Sequence, residues 1–308
     1  MMKNKKLPEQ LQFLENRKAV QKKSNELMTN KVCIITGATS GVGLEATKQL
    51  AMGNAHIVMV SRNPQKAEKI RDELQTKYNV QIDSIIADFS ILEDVRTAAQ
   101  EILSRYPVID VLINCAGMHS TKKTYTKEGF ETVFCVNHLS SFLFTKLLIP
   151  RLIENSHARI LQINSEGHRF NGLRLNDIHW KKRIYTGLRG YGASKTAQLL
   201  TVWELHDQLV HSGVVINAMH PGDVKTAIGS NNGPLYRFFF RHVTSKFLKD
   251  PLVSGESIYY LVADSQLQHV SGKFFHLTIE ELPAKHARDR ILGKQVYDLS
   301  MKLVGLSK

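Results

Sequence analysis

Residues Thr36-Gly37-Ala38-Thr39-Ser40-Gly41-Val42-Gly43 follow the apolar run Val32–Thr36 and lead into a stretch of helical periodicity. A strand, a glycine-rich turn and a helix start in that order leave backbone amides pointing outward at a helix N-terminus. Three glycines let the chain turn tightly and come close to a ligand, which suits a diphosphate. A strand-to-helix turn that binds nothing satisfies the same local pattern, so the rest of the chain has to decide.

From Lys31 onward the pattern alternates. Strand-like runs at Val32–Thr36, His56–Ser61, Gln81–Asp88, Val111–Asn114, Arg159–Asn164 and Val214–Met219 are separated by stretches of helical period, and Lys273–Leu277 reads as a short last strand. Continuous apolar strands with helices between them predict parallel strands covered on both faces and joined by right-handed crossovers. The expected fold is a single-domain α/β Rossmann-type doubly wound sheet over 31–308. Long helices are expected at Glu128–Pro150 and Gly190–His211, and Pro64 is placed for the first turn of the second helix. The segment Pro221–Pro251 is broken by glycines and proline and carries Phe238, Phe239, Phe240 and Phe247 among basic residues. It reads either as a substrate lid or as a small helical satellite.

Composition bounds the function classes. Hydrophobic residues at 43% and charged residues at 22% are ordinary for a soluble globular chain. A formal charge of +13 implies anionic partners such as a phosphorylated cofactor or an acidic membrane surface. Without a zinc-type cysteine spacing or a nucleic-acid-binding motif, no nucleic-acid partner is expected. Cys33, Cys115 and Cys135 each lie in apolar runs and read as buried, reduced thiols, in keeping with the cytoplasm. No signal peptide is read at the N-terminus and no later stretch as a bilayer span. Residues 1–30 hold seven Lys/Arg against three Glu, and Leu7, Leu11 and Leu14 recur at helical spacing. This basic extension reads as a loosely packed solvated segment or as a peripheral membrane or partner contact.

Tyr191-Gly192-Ala193-Ser194-Lys195 carries the most chemistry. On a helix Tyr191 and Lys195 share a face, and an ammonium near a phenol is expected to lower the phenol pKa, giving a proton donor and acceptor at neutral pH. The set Thr36-Gly37-x3-Gly41-x-Gly43, Asp88, Asn114-Cys115-Ala116-Gly117, Asn137, Ser165, Tyr191-x3-Lys195 and Pro221-Gly222, in that order, resembles the short-chain dehydrogenase/reductase family across about residues 31–280. The resemblance implies that Gly37, Ser40, Gly41, Val42 and Gly43 hold the cofactor diphosphate, that Asp88 and Phe89 flank the adenine, and that Asn114, Ala116 and Gly117 support the nicotinamide side. It further implies that Ser165 binds the substrate oxygen and Tyr191 moves its proton. Lys195 would tune Tyr191 and bind the ribose, Asn137 would hold a helix and a relay water, and Pro221, Gly222, Val224 and Thr226 would close over the carboxamide. Each has a plainer counterpart: Asp88 as cap of the helix near Ile91, Asn137 as an interior polar residue, Ser165 as a turn serine. Cys115 departs from the family, which often has a second Asn there.

An acid usually ends the second strand when a free ribose 2′-hydroxyl is read, and an Arg meets a 2′-phosphate. Here Ser61-Arg62-Asn63 has no acid, and Lys66 lies a helical turn on. NADP(H) is therefore expected over NAD(H), with a solvent-facing Arg62 as the alternative. The long gap from Ser165 to Tyr191 with Leu175-Asn176-Asp177-Ile178 inside it, Gly129-Phe130-Glu131 leading to Val136-Asn137-His138-Leu139, and His220-Pro221-Gly222-Asp223-Val224-Lys225-Thr226 are similar to the retinol dehydrogenase-type group. That implies lipophilic alcohols and carbonyls as substrates. A cofactor-binding scaffold or redox sensor is the alternative, against which the complete Ser165, Tyr191, Lys195 set counts. The histidines show no metal-ligand spacing; they read mostly as surface or loop residues, His168 and His179 lying in the gap that borders the substrate side with a solvated loop role as the plainer reading, and no metal is expected. A homodimer would pair through the two long helices.

Overall fold

The computed structural model describes residue 16 and residues 19–170, 172–223 and 250–306. Strands β1 (Val32–Thr36), β2 (His56–Ser61), β3 (Ile82–Ile86), β4 (Val111–Asn114), β5 (Arg159–Ile163), β6 (Val215–His220), β7 (Phe274–His276) and β8 (Ile279–Glu280) form one sheet in the order β3-β2-β1-β4-β5-β6-β7-β8. All neighbours are parallel except β7 and β8, a short antiparallel pair that the sequence pattern did not reveal. The order reverses between β1 and β4, and in such sheets ligands bind at the carboxyl ends of the strands beside that point.

Helices α1 (Gly41–Met52), α2 (Pro64–Tyr78) and α6 (Leu252–Ala263) cover one face of the sheet. The other face carries α3 (Leu92–Arg105), α4 (Thr132–Glu154), α5 (Gly187–Leu209) and α7 (Arg290–Leu303). Successive β1 side chains serve opposite layers: Ile34 packs among the second set, Cys33 and Ile35 among the first. Burying each such side chain is worth about 1.5–3 kcal/mol, so strands with no polar face are stable only between two helical layers. Pro64 opens α2 as expected, and the Asn63 side chain caps it by accepting from the Lys66 amide.

The long helix expected at Glu128–Pro150 is interrupted. Within α4, an α turn at Thr132–Phe134 gives way to a π turn at Cys135–Leu139 before regular helix resumes at Ser140–Glu154, with Pro150 inside it. By length and composition α4 could cross a membrane, contrary to the expectation that no stretch could. Its apolarity has a local cause, since 72% of its most apolar window is buried inside the fold.

Residues 19–30 are not helical but run as a strap. Met28 is buried, the Gln21 amide oxygen accepts from the Thr278 amide and hydroxyl, and the Tyr259 hydroxyl donates to Glu26 O. These ties exclude a loosely packed segment there. Leu7, Leu11 and Leu14 lie outside the described residues, as do residues 224–249, which contain most of the expected lid and its phenylalanines.

Candidate active site

The glycine loop has the shape of a close-approach site. Gly37 and Gly41 adopt φ of +68° and +53°, and a Cβ on Gly37 would lie 2.9 Å from Ala116 Cα. On Gly43 it would meet Gly37 O at 2.3 Å, so these positions admit only glycine. Ser40 precedes α1 in an extended conformation and its hydroxyl does not cap the helix. The first amides of α1 are thus left for an anion, with Ser40 exposed beside them. The Thr36 hydroxyl accepts from the amides of Cys115 and Ala116 at 3.0 and 2.9 Å, locking the second loop against the first. The three thiols are free, and burial pushes Cys115 and Cys135 up to about 12 and Cys33 higher.

Arg62, at the end of β2, and Lys66, in the first turn of α2, are both exposed, and Arg62 has no ion pair among the described residues. A donor set of uncapped helix amides fits the diphosphate of a dinucleotide. Asp88 does not cap α3: its carboxylate accepts from the Ser90 amide at 2.8 Å in a local turn, and its own amide donates to Asp94. Phe89 is buried beneath it. Asn114 is also buried, its side chain donating to Thr145 Oγ1 at 2.7 Å, so it acts from within the sheet while Ala116 and Gly117 stay open.

Asn137, Ser165, Tyr191 and Lys195 come together from three segments: α4, the turn after β5, and α5. The π turn of α4 points Asn137 at the loop after β4: its Oδ1 accepts from the Met118 amide at 2.7 Å, and its Nδ2 donates to Met118 O and Ser194 Oγ. A Cβ on Gly117 would lie 3.4 Å from Asn137 Oδ1 and 3.9 Å from Lys195 Nζ, which puts that glycine directly over both. Ser165 follows β5 and accepts from the Gly167 amide at 3.1 Å. Tyr191 and Lys195 lie one turn apart on α5, Lys195 buried and Tyr191 partly open.

The expected lowering of the Tyr191 pKa by Lys195 is not found. Burial pushes the phenol up to about 12, its hydrogen bond with Ser165 pulls back, and Cys115 pushes up further. Lys195 Nζ stands 5.7 Å from the centre of the ring and is turned toward Ile163 O at 2.9 Å and Gln198 Oε1 at 3.0 Å. Burial lowers the ammonium itself to about 8. At neutral pH the pair is a neutral phenol, able to donate, beside a charged lysine.

Gln198, Asn164 and Gly167 were missed in the sequence. Gln198 takes the Lys195 ammonium on its oxygen and donates its nitrogen to Asn137 O. Asn164 Nδ2 holds Gln198 Oε1 and Lys195 O, while its Oδ1 accepts from the Ser165 amide. A Cβ on Gly167 would press on the Tyr191 ring at 3.0 Å. Only Gln198, three residues after Lys195 on the same helical face, had a signal in the spacing.

Pro221 and Gly222 follow β6; Gly222 has φ +81° and Pro221 O accepts from the Ser254 hydroxyl. Val224 and Thr226 lie outside the described residues. Several histidines read as surface residues are buried: His119, His138, His168 and His220. His138 bonds Ser300 Oγ, and burial holds it down to about 3. His168 and His179 are both tied into the fold by hydrogen bonds. His168 is fully buried, its Nδ1 bonded to Ser165 O and its Nε2 accepting from the Ala284 amide. His179 accepts from the Glu131 amide and packs on Phe130 and Phe134.

The sequence model for short chain dehydrogenases matches residues 31–235. The chain belongs to the short-chain dehydrogenase family. Within it, the chain is 31% identical to human (Homo sapiens) retinol dehydrogenase 13 over 289 residues, covering 92% of this chain and 87% of that protein. It is 32% identical to mouse (Mus musculus) retinol dehydrogenase 14 over 295 residues, covering 92% and 88%. Among solved structures, an uncharacterised protein from Mycobacterium paratuberculosis superposes with a TM-score of 0.73 at 25% identity, covering 91% of this chain and 95% of that one. A candidate short chain dehydrogenase from Escherichia coli CFT073, solved with NADPH, shares the fold with a TM-score of 0.66 at 22% identity, covering 82% and 99%. This short-chain dehydrogenase is of the retinol dehydrogenase type, an NAD(P)-dependent oxidoreductase acting on CH–OH groups and the corresponding carbonyls.

Proposed function

We propose that this short-chain dehydrogenase uses NADP(H) and acts on a lipophilic carbonyl or alcohol, retinoid-, steroid- or lipid-like. The observation that carries the reading is the convergence of Ser165, a neutral Tyr191 and Lys195 beside the glycine cradle. When bound, the nicotinamide supplies or takes up the hydride at the substrate carbon. In reduction, Ser165 Oγ orients the substrate oxygen and the Tyr191 hydroxyl gives it a proton as negative charge develops; in oxidation the proton returns by the same route. The Lys195 ammonium stabilises the phenolate left behind. Asn137 and Gln198 fix that ammonium in place.

Exposed Arg62 after β2 and Lys66 in the first turn of α2 support the 2′-phosphate, and the NADPH complex of the E. coli fold relative is in keeping with it. Lipophilic substrates are supported by the similarity to the retinol dehydrogenases. The segment between Ser165 and Tyr191 adds Phe170, Ile184 and Leu188, 71%, 78% and 73% exposed, beside a groove of about 570 Å³ lined by Leu173, Trp180 and Arg189. That surface, with Arg174 and Arg183, also suits peripheral contact with an acidic membrane face. Three free thiols, Cys33 and Cys135 buried and Cys115 half-buried, support a reducing, cytoplasmic setting. For a homodimer, α7 is an obstacle on the expected face, since Tyr297 packs on Phe142 of α4 and bonds Gln208 of α5.

The test follows NADPH and NADH absorbance with all-trans-retinal, a steroid ketone and a short polar aldehyde. The reading expects NADPH consumption with the apolar carbonyls and a selective loss of NADPH affinity in Arg62→Ala. A guanidinium–phosphate contact of roughly 1.5–3 kcal/mol is worth about 10–100-fold. Equal loss for both cofactors contradicts the 2′-phosphate contact, and turnover confined to the polar aldehyde contradicts the substrate class.

A further inference from the structure

A second cluster lies at the carboxyl edge of the sheet and takes no part in the proton chemistry. Glu166 follows Ser165 in the turn after β5, while His220 ends β6 and His276 ends β7, the two histidines being direct partners across the parallel ladder. Each is more than nine-tenths buried, at 7%, 5% and 1% exposure. One ligand atom from each can be chosen so that all lie within 4.8 Å of one another. Buried polar atoms normally have partners. Here Glu166 Oε1, both ring nitrogens of His220 and His276 Nδ1 are buried without a hydrogen bond.

The surroundings are short of positive charge. Arg169 holds Glu166 Oε2 and Glu281 Oε1, so one guanidinium serves two buried carboxylates. Glu281 takes its other bond from Asn16. Glu166 Oε1 therefore faces the histidines without a hydrogen-bond partner, at ion-pair distance from His276. Its separation from His276 Nδ1 is 3.5 Å, close to the ~3.3–3.5 Å edge of a tetrahedral site with metal–ligand bonds of about 2.0–2.2 Å. Asp223 Oδ1 lies 3.7 Å from His220 Nε2 and brings a further carboxylate to the same edge.

We propose that Glu166, His220 and His276 bind a divalent transition-metal ion, of which zinc best matches two imidazoles and one carboxylate. Imidazole donors select against magnesium and calcium, which take oxygen ligands. The ion neutralises the excess buried charge and pins the Ser165 turn to the ends of β6 and β7. Its role is positional, and it stands independently of the hydride-transfer reading. The sequence concealed it because the three ligands are 54 and 56 residues apart along the chain and meet only through strand order.

The test uses the tag-free full chain, stripped with EDTA and titrated with Co²⁺, reading the visible ligand-field absorption and metal per chain by elemental analysis. The expected result is about one Co²⁺ per chain with a tetrahedral-type spectrum, displaced by Zn²⁺, and a higher melting temperature with metal than without. His276→Gln and Glu166→Gln should weaken uptake by more than the ~10–100-fold that loss of an outer-sphere partner costs. His269→Ala, at an exposed histidine, should leave it unchanged. Using two variants guards against one failing to fold, and far-ultraviolet circular dichroism checks both. Absence of the cobalt spectrum in folded wild-type protein, or a spectrum undiminished in both folded variants, overturns the assignment.

Discussion

At the scale of single residues, Lys195 has the sharpest physical consequence. Burial holds its ammonium near 8, whereas in the unfolded chain it keeps its proton to about 10.5. Between those values the unfolded chain binds a proton that the native chain does not, so stability rises with pH there. Below 8 both states are protonated and the burial cost is constant. Unfolding by urea should therefore show wild-type stability rising relative to Lys195→Met by up to ~1.4 kcal/mol per pH unit between pH 8 and 10, with no relative slope from 6 to 7. A difference that stays flat to pH 10 would show that the lysine is not desolvated in the native state. Residue identity was also where the sequence was most legible. Tyr191 and Lys195 lie one turn apart as their spacing implied, because i,i+4 placement on a helix is fixed by local geometry, whereas Ser165 beside Tyr191 was implied only by the family resemblance. The pKa of Tyr191 was not legible, since the burial that outweighs Lys195 comes from long-range packing.

Among the elements, the site depends on a departure from regularity in α4. The π turn at Cys135–Leu139 releases the normal i−4 pairing, and Asn137 O is taken instead by Gln198 of α5. This cross-helix bond couples the loop over Gly117 to the lysine. Gln198→Leu removes the acceptor for Lys195 and the donor for Asn137 together. We expect a loss of about 1–3 kcal/mol in stability and a fall in kcat larger than the change in substrate KM, measured by denaturation and steady-state kinetics. Unchanged kcat in a folded Gln198→Leu protein would remove Gln198 from the positioning set. Apolar periodicity placed α4 but could not show the π turn, because one extra residue in a turn barely alters the hydrophobic stripe. Similarly β8, two residues long, is set by pairing with β7 and leaves no period to read.

For the whole molecule, strand order does the decisive work. It sets Gly37–Gly43, Ala116–Gly117 and Ser165 along one carboxyl edge, and it brings Glu166, His220 and His276 together beside them. The alternation of apolar strands and helices made the doubly wound sheet legible from Val32 onward, since only two helical layers can cover strands with no polar face. What it could not reveal was the covering of α4 and α5 by α7, through Tyr297 and Ser300, or the strap of residues 19–30 across β7, β8 and α6. Those contacts join residues 89 to 257 positions apart in the chain. The central claim is that Tyr191 moves the substrate proton from a site that also binds NADPH. It is tested most directly by comparing wild type and Tyr191→Phe for NADPH binding by fluorescence titration and for reduction of an apolar carbonyl. We predict NADPH affinity within a few-fold of wild type and kcat lower by at least the ~10²–10⁴-fold that a positioned general acid supplies. Turnover retained in Tyr191→Phe at the wild-type rate would contradict it.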